Sequence, residues 1–423
     1  MKITILSTFD NFGGAAIAAS RLNKALNNNG LSSNMLVQDK KGNLPNVESI
    51  AQNWFQKKLA LLRFALDRYQ FAFYEKNEDV RFIFSQVKIG VDIHNHPLVQ
   101  QSDIVHLHWI NFGFLSLNSL EKLFITNKPI VWTLHDMWVF TGGCHYSREC
   151  TNYERNCGNC VQFLKNPSKN DLSHQVWERK KKIFSKANLT IVTCSEWLAQ
   201  KARESSLLED KTIISIPNPI DTDVFRPIEK NIAKAYFKLF PNKKYILFGV
   251  VKISDVRKGF TYFTEALSML DVRLSNLEHQ KSNIEIIIFG QAQASDFEGL
   301  PFKVNILGKL SDLETIATVY SAASVFVSPS IEDNLPNTIM ESMACGTPVV
   351  GFDVGGIPEM IDHGKSGYLA EYKSSEDLAK GIYWTLFEAD YEALANNSRQ
   401  KVLDNYSEKV VAEKYKKVYQ SLL

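Results

Sequence analysis

Residues 328–359 read SPSIEDNLPNTIMESMACGTPVVGFDVGGIPE, and this stretch decides the fold class. An apolar strand is predicted to end at Ser330, an acidic loop follows, and a helix opens near Asn337. A second apolar strand then leads to the turn Gly355-Gly356. In an open α/β sheet, ligands bind at the carboxyl ends of strands, and a helix start there offers N–H groups and partial positive charge. The stretch therefore predicts a binding site for an anion such as a diphosphate.

Short apolar, β-branched runs alternate with amphipathic helical patterns along the rest of the chain. Such runs are typical of strands that are buried on both faces of a parallel sheet. The predicted strands form two series, Lys2–Thr8, Ser33–Gln38, Ile104–Trp109, Pro129–His135, Leu189–Ser195 and Ile213–Asn218, then Lys244–Val250, Ile284–Gly290, Val304–Gly308, Val325–Ser330 and Thr347–Asp353. Two successive series predict an α/β protein with two doubly wound, Rossmann-like domains.

The proline-bearing segment 217–227 is the predicted linker between these domains. We expect an N-terminal domain over residues 1–217 and a C-terminal domain over residues 218–405. The last segment, 406–423, carries a helical pattern and is expected to pack back on the N-terminal domain.

Composition excludes several classes of protein. The chain has 423 residues and a net charge of +2, so global charge gives no argument for a nucleic-acid partner. The apolar start is too short for a signal peptide, and no run approaches the roughly 20 apolar residues that span a bilayer. We therefore expect a cytoplasmic protein.

Four of the six cysteines form a cluster with one C-x2-C pair. Without an export signal, such a cluster indicates metal ligands or reduced thiols before disulfides. Two interpretations stay open: a closed structural zinc site, or packed thiols. The cluster consists of Cys144, Cys150, Cys157 and Cys160.

Residues 54–74 form an aromatic, basic and amphipathic segment with two interpretations. It is either a helix packed at the domain edge or an interfacial helix that contacts anionic lipid. The second interpretation predicts a peripheral contact with the inner face of a membrane and suits a lipid-linked acceptor.

The stretch 328–359 resembles the donor-site signature E-x7-E of glycosyltransferase family 4, whose members are retaining enzymes with the GT-B fold. Glu341 stands at the second acid, and Asp333 stands where the family has the first Glu. The resemblance implies that Asp333, or its neighbour Glu332, contacts hydroxyls of the donor sugar and that Glu341 holds the ribose hydroxyls. A carboxylate accepts two such hydrogen bonds without a metal. The helix start at Asn337 and Thr338 is expected to bind the diphosphate.

Two further segments resemble the same family. Residues 216–227, IPNPIDTDVFRP, match its interdomain linker, and Arg257-Lys258-Gly259 matches the start of its second domain. There the family uses an Arg and a Lys on the donor diphosphate. Lys258 fits the Lys, whereas Val250 stands at the Arg position, so Arg257 or Lys252 is expected to supply that charge.

In the first domain, Gly13-Gly14 precedes a predicted helix. The pair is either a plain turn or, as the resemblance implies, a loop near the transferred sugar. His135 ends a strand in TLHDMWVFTGG, where the family places a His that faces the donor sugar; a structural, hydrogen-bonded His is the alternative. We expect Asp136 to orient His135 and, with His108, to line the acceptor side of the cleft.

The resemblance implies a GT-B fold, two Rossmann-like domains facing each other across a cleft, and sugar transfer with retention of configuration. His135, Lys258 and Asp333 are the expected catalytic residues, with no catalytic cofactor. The expected donor is a UDP-, GDP- or ADP-sugar, and the acceptor is a glycan or lipid-linked glycan in capsule, exopolysaccharide or lipopolysaccharide synthesis.

The alternatives are a nucleotide-sugar epimerase or hydrolase of the same fold and a non-catalytic donor-binding subunit. A dehydrogenase is excluded because no G-x-G-x-x-G follows the first strand.

Overall fold

The computed structural model describes residues 1–253, 255–275 and 283–423. The chain divides into two compact units, which we call unit 1 (Met1–Pro219 with Val411–Leu423) and unit 2 (Ile220–Val410). Within the described ranges, no helix combines the length and the apolar content that crossing a membrane requires.

Unit 1 is built on a parallel sheet with the strand order β3-β2-β1-β4-β5-β6-β7. Its strands are β1 (Lys2–Ser7), β2 (Ser32–Val37), β3 (Val47–Ser49), β4 (Ile104–Leu107), β5 (Ile130–Leu134), β6 (Leu189–Thr193) and β7 (Thr212–Ser215). Its helices are α1 (Gly14–Asn28), α2 (Trp54–Ala72), α3 (Pro97–Gln101), α4 (Leu117–Phe124), α5 (Leu172–Phe184) and α6 (Glu196–Arg203). The sequence did not predict β3, because it has three residues and only Val47 is buried.

Unit 2 has a parallel sheet with the order β10-β9-β8-β11-β12-β13. Its strands are β8 (Lys244–Lys252), β9 (Ile284–Gln291), β10 (Lys303–Ile306), β11 (Val325–Ser328), β12 (Val349–Phe352) and β13 (Gly367–Ala370). Its helices are α7 (Lys230–Tyr236), α8 (Phe260–Leu274), α9 (Leu313–Ala322), α10 (Asn337–Ala344), α11 (Ile357–Met360), α12 (Ser375–Phe387) and α13 (Tyr391–Asn405). The short β13 was not predicted.

The apolar runs form strands because both faces of each sheet are buried. All five residues of β5 and of β6 are buried, and helices cover both sheets. The fold class predicted from the sequence is therefore confirmed as two Rossmann-like parallel-sheet units.

The strand order reverses once in each sheet, between β1 and β4 in unit 1 and between β8 and β11 in unit 2. Ligands of open α/β sheets bind at such switch points, outside the carboxyl ends of the strands. The segment after β8 carries Lys258, and the loop after β11 carries Asp333. In unit 1, Gly13 follows β1 and His108 follows β4. The topology therefore places predicted site residues at both switch points.

The last helix, α14 (Glu408–Gln420), packs on unit 1. Its Tyr419 hydroxyl lies 2.7 Å from Nδ1 of His106, and its Tyr415 hydroxyl lies 2.8 Å from Oγ1 of Thr133. Unit 2 ends at Val410, five residues beyond the predicted boundary at 405.

Candidate functional site

The switch point of unit 2 joins two predicted site residues directly. The Lys258 ammonium donates to Oδ2 of Asp333 over 2.6 Å, and both side chains stay partly exposed. The backbones of the two segments also meet, because Ile331 N–H donates to the carbonyl of Arg257 over 2.8 Å. A cation and a carboxylate are thus held side by side at the carboxyl end of β8 and β11.

Two glycines permit this close approach of the backbones. Gly259 has φ +68°, and a Cβ there would lie 1.8 Å from the carbonyl oxygen of Pro329. Gly355 has φ +62°, and a Cβ there would lie 1.9 Å from the carbonyl oxygen of Asp333. Any side chain would push the acidic loop away, so both positions require glycine.

Helix α10 begins beside the acidic loop, with Asn337 and Thr338 in its first turn. Its start has no side-chain cap, and Pro336 occupies the N-cap position. One turn further along, the buried Glu341 carboxylate accepts a hydrogen bond from the Tyr320 hydroxyl over 3.2 Å. The arrangement presents a helix start and a carboxylate on the same short helix, which suits a phosphate and a diol respectively.

The positive charge expected at the family's Arg position is missing there. Val250 is buried in the core of unit 2. Arg257 follows the end of β8, but Asp255 binds its guanidinium through Nε at 3.2 Å and a terminal nitrogen at 2.8 Å. Glu332 is half-buried on the acidic loop beside Asp333. The Lys258 ammonium contacts the acidic loop at Asp333, and Lys252 is exposed at the end of β8.

In unit 1, His135 lies at the carboxyl end of β5 between two neighbours. Its Nε2 is 2.9 Å from Nδ1 of His108, and its Nδ1 is 3.5 Å from the sulfur of Cys194. Burial lowers the pKa of His135 to about 4, although Asp136 acts in the opposite direction. Burial also lowers the pKa of His108. Both rings are thus neutral at pH 7, and one donates to the other.

The sequence predicts that Asp136 orients His135, and the hydrogen bonds of its carboxylate go to three other residues. Its carboxylate accepts from Nε1 of Trp109 at 3.1 Å, from Trp138 N–H at 2.9 Å and from Nδ1 of His145 at 2.6 Å. Burial raises the pKa of Asp136, but His145 and the hydrogen bonds from Trp138 and Trp109 together outweigh this effect, and the pKa is lowered. Asp136 therefore fixes the loop that follows β5.

Two buried polar groups beside His135 lack partners among the described residues. They are Nε2 of His108 and both side-chain polar atoms of Asn111. His108, Asn111 and His135 line a cavity of about 10 Å³. One water molecule needs about 10–15 Å³, so this cavity is about the size of a single water. The sequence did not single out Asn111 or Cys194, because their place beside His135 depends on a strand order that a single sequence does not specify.

The Gly13-Gly14 pair follows β1 and opens α1, as predicted. Gly13 has φ +84°, which favours glycine, and a Cβ there would meet nothing within 4 Å. The backbone there is accessible to a ligand.

The four clustered cysteines are free thiols in this structure. Burial raises the pKa of Cys157 to about 12 and that of Cys160 to about 11. Within the described ranges, no group of three or more His, Cys, Asp or Glu side chains is arranged to hold a metal ion. The zinc site over Cys144, Cys150, Cys157 and Cys160 stays a prediction, and no step below depends on it.

Two family profiles cover most of the chain. The profile described as Glycosyltransferase Family 4 matches residues 12–224, and the profile described as Glycosyl transferases group 1 matches residues 243–387. The chain belongs to glycosyltransferase family 4. Membership of this family, which the resemblance of the donor-site signature implies, is thereby confirmed.

A curated relative of this glycosyltransferase comes from Campylobacter jejuni. It is named N,N'-diacetylbacillosaminyl-diphospho-undecaprenol alpha-1,3-N-acetylgalactosaminyltransferase and is 28% identical over 233 residues, which are 53% of this chain and 58% of the relative. The chain spans about half the length of the curated relatives it matches.

Solved structures share the fold of this glycosyltransferase over its whole length. Sucrose-phosphate synthase from Thermosynechococcus elongatus has a TM-score of 0.67 at 17% identity, covering 100% of this chain and 98% of that one. Anabaena HepE in complex with UDP-glucose has a TM-score of 0.65 at 15% identity, covering 100% of both chains. These similarities support the GT-B fold.

Proposed function

We propose that this glycosyltransferase moves a sugar from a nucleotide-sugar donor to a glycan or lipid-linked acceptor, with retention of configuration. The observation that carries the proposal is the contact of Lys258 with Asp333 at the switch point of unit 2, beside the helix that bears Glu341. Cation, helix start and carboxylates match the phosphates and hydroxyls of a nucleotide sugar.

In this proposal unit 2 binds the donor. Glu341 accepts hydrogen bonds from the ribose hydroxyls, and Lys258 with the start of α10 neutralises the diphosphate. Asp333, or Glu332 next to it, accepts from hydroxyls of the sugar. Lys258 then exchanges its Asp333 partner for phosphate oxygens, which leaves Asp333 available to the sugar.

The chemical step breaks the bond between the anomeric carbon and the phosphate oxygen. A new bond forms from the acceptor oxygen to the anomeric carbon on the same face of the sugar, and the acceptor proton passes to the leaving diphosphate. Negative charge grows on that diphosphate, so its stabilisation by Lys258 and backbone dipoles is the largest catalytic contribution. No catalytic metal is required in this scheme.

We propose that unit 1 binds the acceptor, with neutral His135 and His108 among its acceptor-side residues. The relative from Campylobacter is named for a diphospho-undecaprenol substrate, which supports a lipid-linked acceptor here. Anabaena HepE was solved with UDP-glucose, which supports a UDP-sugar donor. We place the reaction in the synthesis of capsule, exopolysaccharide or lipopolysaccharide, and we place the enzyme in the cytoplasm. The free thiols fit such a reducing compartment.

The test is a transfer assay with radiolabelled UDP-, GDP- and ADP-sugars, each with and without lipid-linked acceptors. Donors are first selected by thermal shift, since a ligand at about 100 times its Kd stabilises the folded state by roughly 2.7 kcal/mol. Transfer of the label to the acceptor, with no release of free sugar or epimer when the acceptor is left out, supports the proposal. Release of free sugar or epimer without acceptor would instead indicate the hydrolase or epimerase.

A non-catalytic subunit is the remaining alternative, and the burial of Val250 at the family's Arg position motivates it. It would bind a nucleotide sugar without turnover under every acceptor condition.

A further inference from the structure

Helix α2 packs on unit 1 through one narrow face. Ala60, Asp67, Arg68 and Phe71 are buried. The Arg68 guanidinium pairs with Asp67 and donates to the carbonyls of Arg81 at 2.6 Å and of Phe84. This polar anchor fixes the rotation of the helix about its axis.

The opposite face of α2 is apolar and exposed. At 100° per residue, the outward positions fall about 180° from Ala60. Their exposed fractions are 63% for Phe55, 51% for Leu62, 64% for Tyr69 and 56% for Phe73, which follows the helix. A surface helix ordinarily turns its polar residues to solvent. Here large apolar side chains occupy that side.

The apolar surface extends to both flanks of this face. The further exposed side chains are Trp54, Leu59, Leu61, Leu66, Tyr74 and Phe82. Contiguous apolar surface of this kind marks an interaction site rather than the scattered exposure that is normal for soluble proteins. We call the outward face and these flanks the α2 surface.

The exposed charges on α2 are all positive. Lys57 and Lys58 are exposed, and the Lys58 ammonium lies 5.7 Å from the centre of the Trp54 ring. Every residue of α2 is described, and its one carboxylate, on Asp67, is buried against Arg68. An apolar face with aromatic residues and flanking lysines complements a bilayer with anionic headgroups.

We propose that the α2 surface binds anionic lipid and holds the protein on a membrane without crossing it. A pairing of two copies through this face would offer the exposed lysines no acidic partner on α2, because its one carboxylate is buried. An anionic lipid surface neutralises them, and long lysine side chains reach the headgroups while the apolar groups enter the acyl boundary. The predicted donor-site residues lie outside α2, so membrane binding and sugar transfer are tested separately.

The test is co-sedimentation of the full chain with vesicles of phosphatidylcholine alone or with 30% phosphatidylglycerol, a fraction chosen as roughly that of an anionic membrane. The expected result is binding to the anionic vesicles that weakens as salt is raised. Leu62→Ser with Leu66→Ser should abolish binding. Lys57→Gln with Lys58→Gln should weaken it roughly 25-fold, since each lysine near the surface contributes about a factor of five.

The matched control is Ile125→Ser with Ile232→Ser, which removes two comparably exposed apolar side chains elsewhere and should leave binding unchanged. Circular dichroism and thermal unfolding check that each variant is folded. Failure of the unaltered chain to bind anionic vesicles, or equal binding by Leu62→Ser with Leu66→Ser, overturns the proposal. A concentration-dependent dimer that these serines dissociate would also overturn it and identify a protein interface.

Discussion

Replacing Lys258 with alanine should cost this glycosyltransferase most of its turnover. A unit charge about 4 Å from another contributes roughly 4 kcal/mol at an effective dielectric constant of about 20. The Lys258 side chain is 32% exposed, and solvent screening reduces this to about 3 kcal/mol. Val250 carries no charge, and the Arg257 guanidinium is bound by Asp255, so neither residue replaces the lost ammonium. The expected loss in kcat is about 100- to 1000-fold.

The assay is initial-rate transfer of labelled sugar at saturating donor. Lys258→Ala also leaves Asp333 unpaired, but that carboxylate is partly exposed, so the loss in unfolding free energy should be only about 1 kcal/mol. Lys401→Ala is the matched control. It breaks a Lys–Asp pair of 2.7 Å with Asp362, which precedes β13 and so lies away from the carboxyl ends of the strands. Turnover of Lys258→Ala within threefold of the unaltered enzyme would refute the assigned role.

Three other outcomes are expected. Burial lowers the pKa of His106 to about 3, below the usual value near 6.5, so the unfolded chain takes up a proton first as pH falls. This histidine's contribution is complete above pH 6.5 and is lost on acidification by up to about 1.4 kcal/mol per pH unit, and the lowered pKa values of His108 and His135 add to this loss. Urea titrations at pH 8, 6 and 5 would measure the sum, and an unfolding free energy that rises from pH 8 to pH 5 would contradict it. Gly355→Ala should lower unfolding free energy by roughly 2–4 kcal/mol because its Cβ would meet the Asp333 carbonyl, whereas Gly299→Ala, also at positive φ but with nothing within 4 Å, should lose only about 1 kcal/mol. Excess EDTA should leave transfer unchanged, since Lys258 and the start of α10 supply the positive charge; a loss restored by Mg²⁺ would count against this scheme.

The fold followed from the sequence where strands are apolar and fully buried. Runs such as Ile104–Leu107 and Ile130–Leu134 read as strands because every residue is apolar or β-branched, or is a His that the sheet buries. The strand β3 was missed because it has three residues, of which only Val47 is buried. The strand β13, with the sequence GYLA, was missed because it begins with glycine and contains no β-branched residue.

The sequence identified candidate site residues but did not predict which of them form hydrogen bonds with each other. The signature singled out Asp333 and the basic pair singled out Lys258, yet nothing in the sequence indicated that they pair. Likewise, the pattern HD suggested that Asp136 orients His135, whereas the ring of that histidine lies 2.9 Å from His108, which follows β4, and 3.5 Å from Cys194, which follows β6. Contacts between neighbouring strands depend on strand order, which a single sequence does not specify.

The most direct test of the proposed donor site is a crystal structure of the protein with a bound nucleoside diphosphate. Its ribose hydroxyls should lie within hydrogen-bond distance of the Glu341 carboxylate, about 2.5–3.0 Å. Its diphosphate should lie at Lys258 and the first turn of α10, with the Lys258–Asp333 contact opened. A nucleotide bound elsewhere, or one whose phosphates touch neither Lys258 nor the start of α10, would contradict the proposed site.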